Sequence, residues 1–137
     1  LDGFCGTGAL GLEALSRGGA HVTFMDNTRS ALSICRRNVD TLGEGAAADL
    51  LQGDCLKPVG AAEPCGLVLL DPPYKTGLAC PALSALRDAG WLKPDAICAV
   101  ESEAGVDPIL PEGFEMLDAR KYGAARVQFL RYRNSSI

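Results

Sequence analysis

The chain has 137 residues, 47% of them hydrophobic and 22% charged, which suits one folded domain with one core and excludes a disordered or fibrous protein. Thirteen basic and seventeen acidic residues give a net charge of −4, so the chain as a whole is not a strongly basic nucleic-acid binder. Residues 120–137 nevertheless contain five basic and no acidic residues. The composition therefore still allows a local surface that binds a polyanion near the end of the chain.

No stretch reaches the roughly 18 apolar residues that span a bilayer, and no secretory signal pattern opens the chain. We therefore expect a soluble, cytoplasmic protein without a membrane partner. Six cysteines occur without a CxxC pair, and a single histidine cannot complete a zinc site, so we also expect no metal. We expect small buried thiols in a reducing compartment at Cys5, Cys35, Cys55, Cys65, Cys80 and Cys98.

Strand and helix signals alternate along most of the chain, with glycine-rich turns between them. A wholly apolar run at residues 67–70 must be covered on both faces, which is typical of a central strand in a parallel sheet. The last two strand-like runs are separated only by Gly123 and Ala124, so they form an antiparallel hairpin. In chain order, the signals predict a strand end at 1–2, a helix at 9–17, a strand at 21–26, a helix from about 28 to 42, strands at 49–54 and 67–70, a helix at 78–89, and strands at 96–100, 114–122 and 125–132.

This series predicts one α/β domain over residues 1–137, a three-layer sandwich with a mostly parallel sheet that ends in an antiparallel hairpin. We expect the chain to begin inside the first strand, so that the start of this strand and an N-terminal segment of a parent protein are missing.

A glycine-rich turn joins the first strand to the first helix, and residues 6–11, GTGALG, match the pattern G-x-G-x-x-G. Such glycines let the backbone turn sharply and approach a nucleotide-like ligand. Asp2 precedes the turn at a strand end, and Asp26 closes the next strand, where a carboxylate can accept hydrogen bonds from both hydroxyls of a ribose. A dinucleotide and S-adenosylmethionine both fit this pattern.

The fourth strand runs into Asp71-Pro72-Pro73-Tyr74. Consecutive prolines fix φ and restrict the residue before them, so the strand ends and the carbonyls of Asp71 and Pro72 are held in a set direction. A carboxylate, a rigid carbonyl and an aromatic ring together suit a planar base with an exocyclic amine, because the oxygens accept the hydrogens of the amine and the ring stacks on Tyr74. The motif favours S-adenosylmethionine over a dinucleotide as the ligand of the glycine turn.

Three further positions are candidates for chemistry. Asp54, at the end of the third predicted strand, can accept a hydrogen bond from an adenine amine or can be a plain loop acid. His21 begins a strand without an evident partner, so we expect a solvated or hydrogen-bonded structural role. Pro64-Cys65 is similar to the nucleophile motif of cytosine-C5 methyltransferases, but it precedes the fourth strand instead of following it, so we reject that role.

Three stretches of the sequence, LDGFCGTGALGLEALSRGGA, LLDPPYKTGL and ESE followed by ARKYGAARVQFLRY, resemble the bacterial ribosomal RNA small-subunit methyltransferase D family. That family methylates the N2 amine of a guanine in 16S ribosomal RNA. The first two motifs are typical of amino-methyltransferases in general. The segment ALGLEALSRG and the closing KYG hairpin narrow the resemblance to this one family. It implies a Rossmann-like class I methyltransferase that uses S-adenosylmethionine, acts on 16S ribosomal RNA or the small ribosomal subunit, and is a monomer.

The resemblance also implies roles for individual residues. The implied mechanism needs no covalent enzyme intermediate, because the enzyme only has to orient the amine in line with an activated methyl group. Gly3, Cys5 and Thr7 depart from the usual family residues without removing a group that this chemistry uses, and the arginine-rich segment that precedes the first strand in the family is absent. By position, the cofactor residues are Asp2, Phe4, Gly6, Gly8, Asp26 and Asp54, and the residues at the target base are Asp71, Pro72, Pro73 and Tyr74.

Three other functions remain open. An N6-adenine methyltransferase acting on DNA or another RNA could use the same Asp-Pro-Pro-Tyr motif, because the motif serves any exocyclic amine. An NAD-dependent dehydrogenase fits the glycine turn but leaves this motif without a role. A non-catalytic, methyltransferase-like RNA-binding subunit is disfavoured by the two acids Asp2 and Asp26, which suit a cofactor.

Overall fold

One seven-stranded sheet with helices on both faces makes up the computed structural model, which describes residues 1–73, 76–103 and 109–133. The predicted alternation of strands and helices is confirmed. The strands are β1 (Asp2–Gly3), β2 (Val22–Asp26), β3 (Ala48–Gln52), β4 (Cys65–Leu70), β5 (Leu92–Glu103), β6 (Phe114–Tyr122) and β7 (Ala125–Tyr132). The helices are α1 (Ala9–Ser16), α2 (Arg29–Thr41) and α3 (Ala79–Asp88), and a 3₁₀ turn over Gly45–Ala47 precedes β3. None of these helices is long and apolar enough to cross a membrane.

The strand order is β3-β2-β1-β4-β5-β7-β6. Strands β1 to β5 pair in parallel, whereas β7 pairs antiparallel with both β5 and β6, so the predicted closing hairpin is confirmed. The chain runs outward from β1 to β3 and then returns to the other side of β1 at β4. Ligands of open α/β sheets bind beyond the carboxyl ends of the strands at the point where the order reverses. The crevice beyond β1 and β4 is therefore where a ligand site is expected.

Two apolar cores lie on opposite faces of the sheet. Successive residues of a strand point to opposite faces, and the fully buried neighbours Phe24 and Met25 accordingly belong to different cores. Helices α1 and α2 cover the core around Phe24, to which Cys35 and Val39 of α2 contribute. Helix α3 covers the other core through Leu83 and neighbouring residues. The predicted three-layer arrangement is thus confirmed.

The bounds of several predicted strands differ in the structure, and the differences in two strands bear on the site. Strand β3 ends at Gln52, so Asp54 lies in the following loop and not at a strand end. Strand β5 extends over Leu92–Glu103, well beyond the predicted 96–100, because pairing with β4 and β7 continues the strand in both directions. Propensity alone could not indicate this extension, since it depends on neighbours that are distant in sequence.

The prediction that both faces of β4 are covered is wrong. Val68 and Leu70 are buried against α3, but Leu67 on the opposite face is 42% exposed. The apolar core that α1 and α2 form on that face includes residues of β2 and β3 but, among the described residues, none of β4. The prediction of free, buried thiols is confirmed for Cys5, Cys35, Cys55 and Cys98, whereas Cys65 and Cys80 are only partly buried.

Candidate functional site

The register of the sheet brings residues of four neighbouring strands to one level. Gly3 of β1 pairs with Met25 of β2 on one side and with Leu70 of β4 on the other, and Leu70 pairs with Val100 of β5. The residues that follow these positions are Phe4, Asp26, Asp71 and Glu101. They therefore lie side by side at one level of the sheet, at the reversal point of the strand order.

The loop after β1 turns through three residues with positive φ: Phe4 at 55°, Gly6 at 53° and Gly8 at 85°. A Cβ atom on Gly6 would have nothing within 4 Å, so the backbone at Gly6 faces open space. A Cβ atom on Gly8 would instead lie 2.6 Å from the Cys35 sulfur. Gly6 thus leaves room for a ligand to approach the backbone, whereas Gly8 lets the loop pack against α2.

Backbone hydrogen bonds hold this loop in place. The Cys5 N–H donates to the Met25 carbonyl at 3.0 Å, which extends the β1–β2 pairing by one step, and the Gly8 N–H donates back to the Cys5 carbonyl at 2.8 Å. The Asn38 side chain of α2 donates to the Thr7 carbonyl at 2.9 Å. The conformation of the loop is therefore set by the sheet and by α2 together.

Asp2 lies beneath the loop and is only 1% exposed. Its Oδ2 atom accepts a hydrogen bond from the Gly11 N–H at 2.9 Å, in the first turns of α1. Burial raises the pKa of Asp2 to about 6, and the hydrogen bond from Gly11 opposes this rise only in part. The negative charges of Asp26 and Asp71 raise it further, which shows that the three carboxylates share one electrostatic environment. In this structure Asp2 ties α1 to the sheet, and its place among the cofactor residues stays a prediction.

Asp26 closes β2 and supports the glycine loop directly. Its Oδ2 accepts the Gly6 N–H and its Oδ1 accepts the Thr28 N–H, both at 2.9 Å. Each carboxylate oxygen has a further lone pair, so Asp26 can still accept hydrogen bonds from a ligand. Asp54 also binds its own loop, since its Oδ1 accepts the Leu56 N–H at 2.9 Å. The adjoining Cys55 is buried, and burial raises the pKa of its thiol to about 11.

Beyond β4, a cavity of about 160 Å³ opens next to Asp71, Pro72 and Pro73. The residues from Thr76 to Ala79 form a second wall, and β5 contributes Glu101. The Thr76 hydroxyl donates to the Pro73 carbonyl at 2.6 Å, which links this wall to the two prolines. Tyr74, the expected stacking residue, lies outside the described residues.

Glu101 is a residue of this site that the sequence motifs did not single out. It stands one step past Val100, as Asp71 stands one step past Leu70 in the neighbouring strand. The available signal was an acid directly after a buried apolar strand, the pattern that also singled out Asp26 and Asp71. This signal assigns Glu101 to the site only if β5 lies beside β4. The sequence alone does not show that these two strands are neighbours.

The other candidates lie away from this site. His21 is exposed, and its Nε2 lies 3.1 Å from Asp49, in keeping with the expected structural role. Cys65 begins β4, at the end of the strand opposite to Asp71. Within the described ranges, no group of three or more His, Cys, Asp or Glu side chains is placed to hold a metal ion.

Comparison with known proteins places this architecture among methyltransferases. A family described as conserved hypothetical protein 95 matches residues 1–131. The chain is similar to the ribosomal RNA small subunit methyltransferase D of Haemophilus influenzae, with 36% identity over 98% of this chain and 70% of the relative. It is 38% identical to the Escherichia coli protein of the same name over 75% of this chain, and that match spans about half (52%) of the relative. A crystal structure of a candidate methylase from Haemophilus influenzae superposes with a TM-score of 0.86 and 33% identity over 97% of this chain and 85% of that one.

Proposed function

Because the chain belongs to the ribosomal RNA small subunit methyltransferase D family, a family of methyltransferases, we propose that it transfers a methyl group from S-adenosylmethionine to the N2 amine of a guanine in 16S ribosomal RNA. The observation that carries the proposal is the placement of the Asp71-Pro72-Pro73 turn at the reversal point of the sheet, next to the glycine loop. A carboxylate and a rigid carbonyl at that place suit an exocyclic amine.

The residues around the glycine loop fit S-adenosylmethionine. The open space at Gly6 lets a ligand approach the backbone, and Asp26 can accept hydrogen bonds from ribose hydroxyls while it holds the Gly6 N–H. When bound, S-adenosylmethionine supplies a methyl group already activated by a positively charged sulfur. The residues that would hold it are Asp2, Phe4, Gly6, Gly8, Asp26 and Asp54.

The chain's own part in the reaction is to bind and orient the amine. Asp71 and the Pro72 carbonyl would accept the two hydrogens of the amine, which turns its lone pair out of conjugation with the ring and toward the methyl group. As the new N–C bond forms and the bond from the methyl group to the sulfur breaks, positive charge would develop on the nitrogen, so the hydrogen bond to the Asp71 carboxylate would strengthen in the transition state. The nitrogen would then release one proton to Asp71 or to water. Tyr74 would stack on the flipped base.

The test is the Asp71→Ala variant with S-adenosylmethionine that carries a tritiated methyl group. Naked 16S ribosomal RNA, assembled small ribosomal subunits and DNA are the separate substrates, and nucleoside analysis identifies the methylated atom. We expect N2-methylguanine with the wild-type protein and a kcat lower by roughly 10²-fold or more with Asp71→Ala. Affinity for S-adenosylmethionine, measured by calorimetry, should stay within about threefold, because Asp71 acts on the target base.

Asp40→Ala, on the exposed side of α2, serves as the control and should keep wild-type turnover. If Asp71→Ala methylates the RNA at the single-turnover rate of the wild-type protein, the role of Asp71 is contradicted. Label in N6-methyladenine would transfer the proposal to an adenine substrate, and calorimetric binding of NAD in place of S-adenosylmethionine would reopen the dehydrogenase alternative.

A further inference from the structure

Glu101 occupies a rigid position in the sheet. It belongs to β5, which lies between β4 and β7, and its backbone pairs with Val127 of β7. On the other side, the preceding Val100 pairs with Leu70 of β4, immediately before Asp71. The carboxylate of Glu101 is therefore held by a central strand, whereas Asp71 stands at the start of a loop.

The two carboxyl groups face the same small space. Both line the cavity of about 160 Å³, and each follows a residue of the Leu70–Val100 pair that joins β4 to β5. Burial raises the pKa of Glu101, and the charge of Asp71 raises it further. Two neighbouring carboxylates repel each other, and a ligand that presents two adjacent N–H donors relieves this repulsion because each carboxylate then accepts one hydrogen bond.

Guanine presents such a pair of donors. On its Watson–Crick edge the exocyclic N2 amine lies directly beside the ring N1–H, so two donors stand side by side. In adenine the ring N1 beside the amine carries no hydrogen and is an acceptor, which a carboxylate repels. Enzymes that flip a base out of the stack recognise it by hydrogen bonds to this edge.

We propose that Glu101 accepts a hydrogen bond from the ring N1–H of the target guanine while Asp71 and the Pro72 carbonyl hold its N2 amine. Glu101 then selects guanine over bases that have an amine beside an unprotonated ring nitrogen. This inference rests on the proposed function and adds the group that distinguishes guanine from adenine.

The experiment compares two RNA substrates that differ at the target base, one with guanine and one with 2,6-diaminopurine. The analogue keeps the 2-amine but has an unprotonated N1. The wild-type protein should methylate guanine with a kcat/KM about 10- to 100-fold higher than the analogue, on the scale of one hydrogen bond to a charged group. In Glu101→Gln the side-chain amide can donate to the unprotonated N1, so this preference should fall to within about threefold.

Two further variants separate recognition from folding. Glu103→Gln removes a carboxylate that lines the same cavity two residues further along β5 and should keep the preference for guanine. Glu101→Asp keeps a charged acceptor and should keep the preference at a reduced rate. Calorimetry with S-adenosylmethionine checks that each variant retains a folded cofactor site.

The outcomes distinguish the inference from the function on which it rests. An unchanged preference in Glu101→Gln, with guanine N2 still methylated by the wild-type protein, overturns the role of Glu101 alone. If Glu103→Gln loses the preference for guanine as much as Glu101→Gln does, the role of Glu101 is overturned as well. The preference would then depend on the total negative charge of the cavity and not on one hydrogen bond. Failure of the wild-type protein to methylate guanine in either ribosomal substrate overturns the proposed function and the inference with it.

Discussion

Asp2 should make the stability of this protein depend on pH in an unusual direction. An acid in a salt bridge stabilises a fold more as pH rises, because its pKa in the folded state is lowered. Asp2 is the opposite case, since burial raises its pKa from 3.8 to about 6. The folded state therefore binds the proton more tightly than the unfolded state, and the contribution of Asp2 to the free energy of unfolding falls as pH rises from about 4 to about 6.

The magnitude follows from the shift. A rise of about two pKa units at about 1.4 kcal/mol per unit makes the ionised form of Asp2 less favourable in the folded state by about 3 kcal/mol. No discount for solvent screening applies, because the side chain is 1% exposed. Most of the change, about 2 kcal/mol, falls between pH 4 and pH 7.

The perturbation is Asp2→Asn, which cannot ionise but can still accept the Gly11 N–H through its amide oxygen. Urea unfolding of both proteins at several pH values between about 4 and 7 gives the difference in free energy of unfolding, in which the carboxylates that do not interact with Asp2 cancel. We expect the wild-type protein to lose about 2 kcal/mol relative to Asp2→Asn over this range.

Asp2→Ala provides the matched comparison. It should abolish the same pH dependence but lower stability at every pH, because the Gly11 N–H then loses its acceptor in a buried place. If the difference in free energy of unfolding between the wild-type protein and Asp2→Asn stays constant across this pH range, the reasoning is refuted. Such a result would mean that burial does not disfavour the ionised form of Asp2. An ionised buried acid that destabilises the fold at neutral pH is typical of a functional site.

Further predictions concern the glycine loop. Asp26→Ala should weaken S-adenosylmethionine binding by about 1–3 kcal/mol, because ribose hydroxyls lose their acceptor, and unchanged affinity by calorimetry would contradict its assignment. Gly8→Ala should lower Tm strongly, since the new Cβ collides with the Cys35 sulfur at positive φ. Gly6→Ala should lower Tm less, at about 1 kcal/mol of backbone strain, but should weaken S-adenosylmethionine binding more than its stability loss explains. Equal effects of the two glycine variants on Tm and on binding would refute the separation of their roles.

Local chemistry made much of this protein predictable from its sequence. Glycines that adopt positive φ and consecutive prolines act within a few residues, so the turn before α1 and the end of β4 at Asp71 could be located directly. Apolar periodicity is equally local, and it placed the helices and the closing hairpin within a few residues of their observed bounds. The predicted site residues Asp26 and Asp71 were recognisable for the same reason, as acids at the ends of strands.

Only the tertiary structure decided which strands are neighbours and what each side chain faces. Gly6 and Gly8 look alike in the motif, yet one faces open space and the other the Cys35 sulfur, because α2 packs beneath only part of the loop. The exposed face of β4 depends on where the helices lie over the sheet. Glu101 stands beside Asp71 because β4 and β5 pair in register across thirty residues of chain. Such contacts depend on how all the helices and strands pack together, so no local pattern in the sequence predicts them.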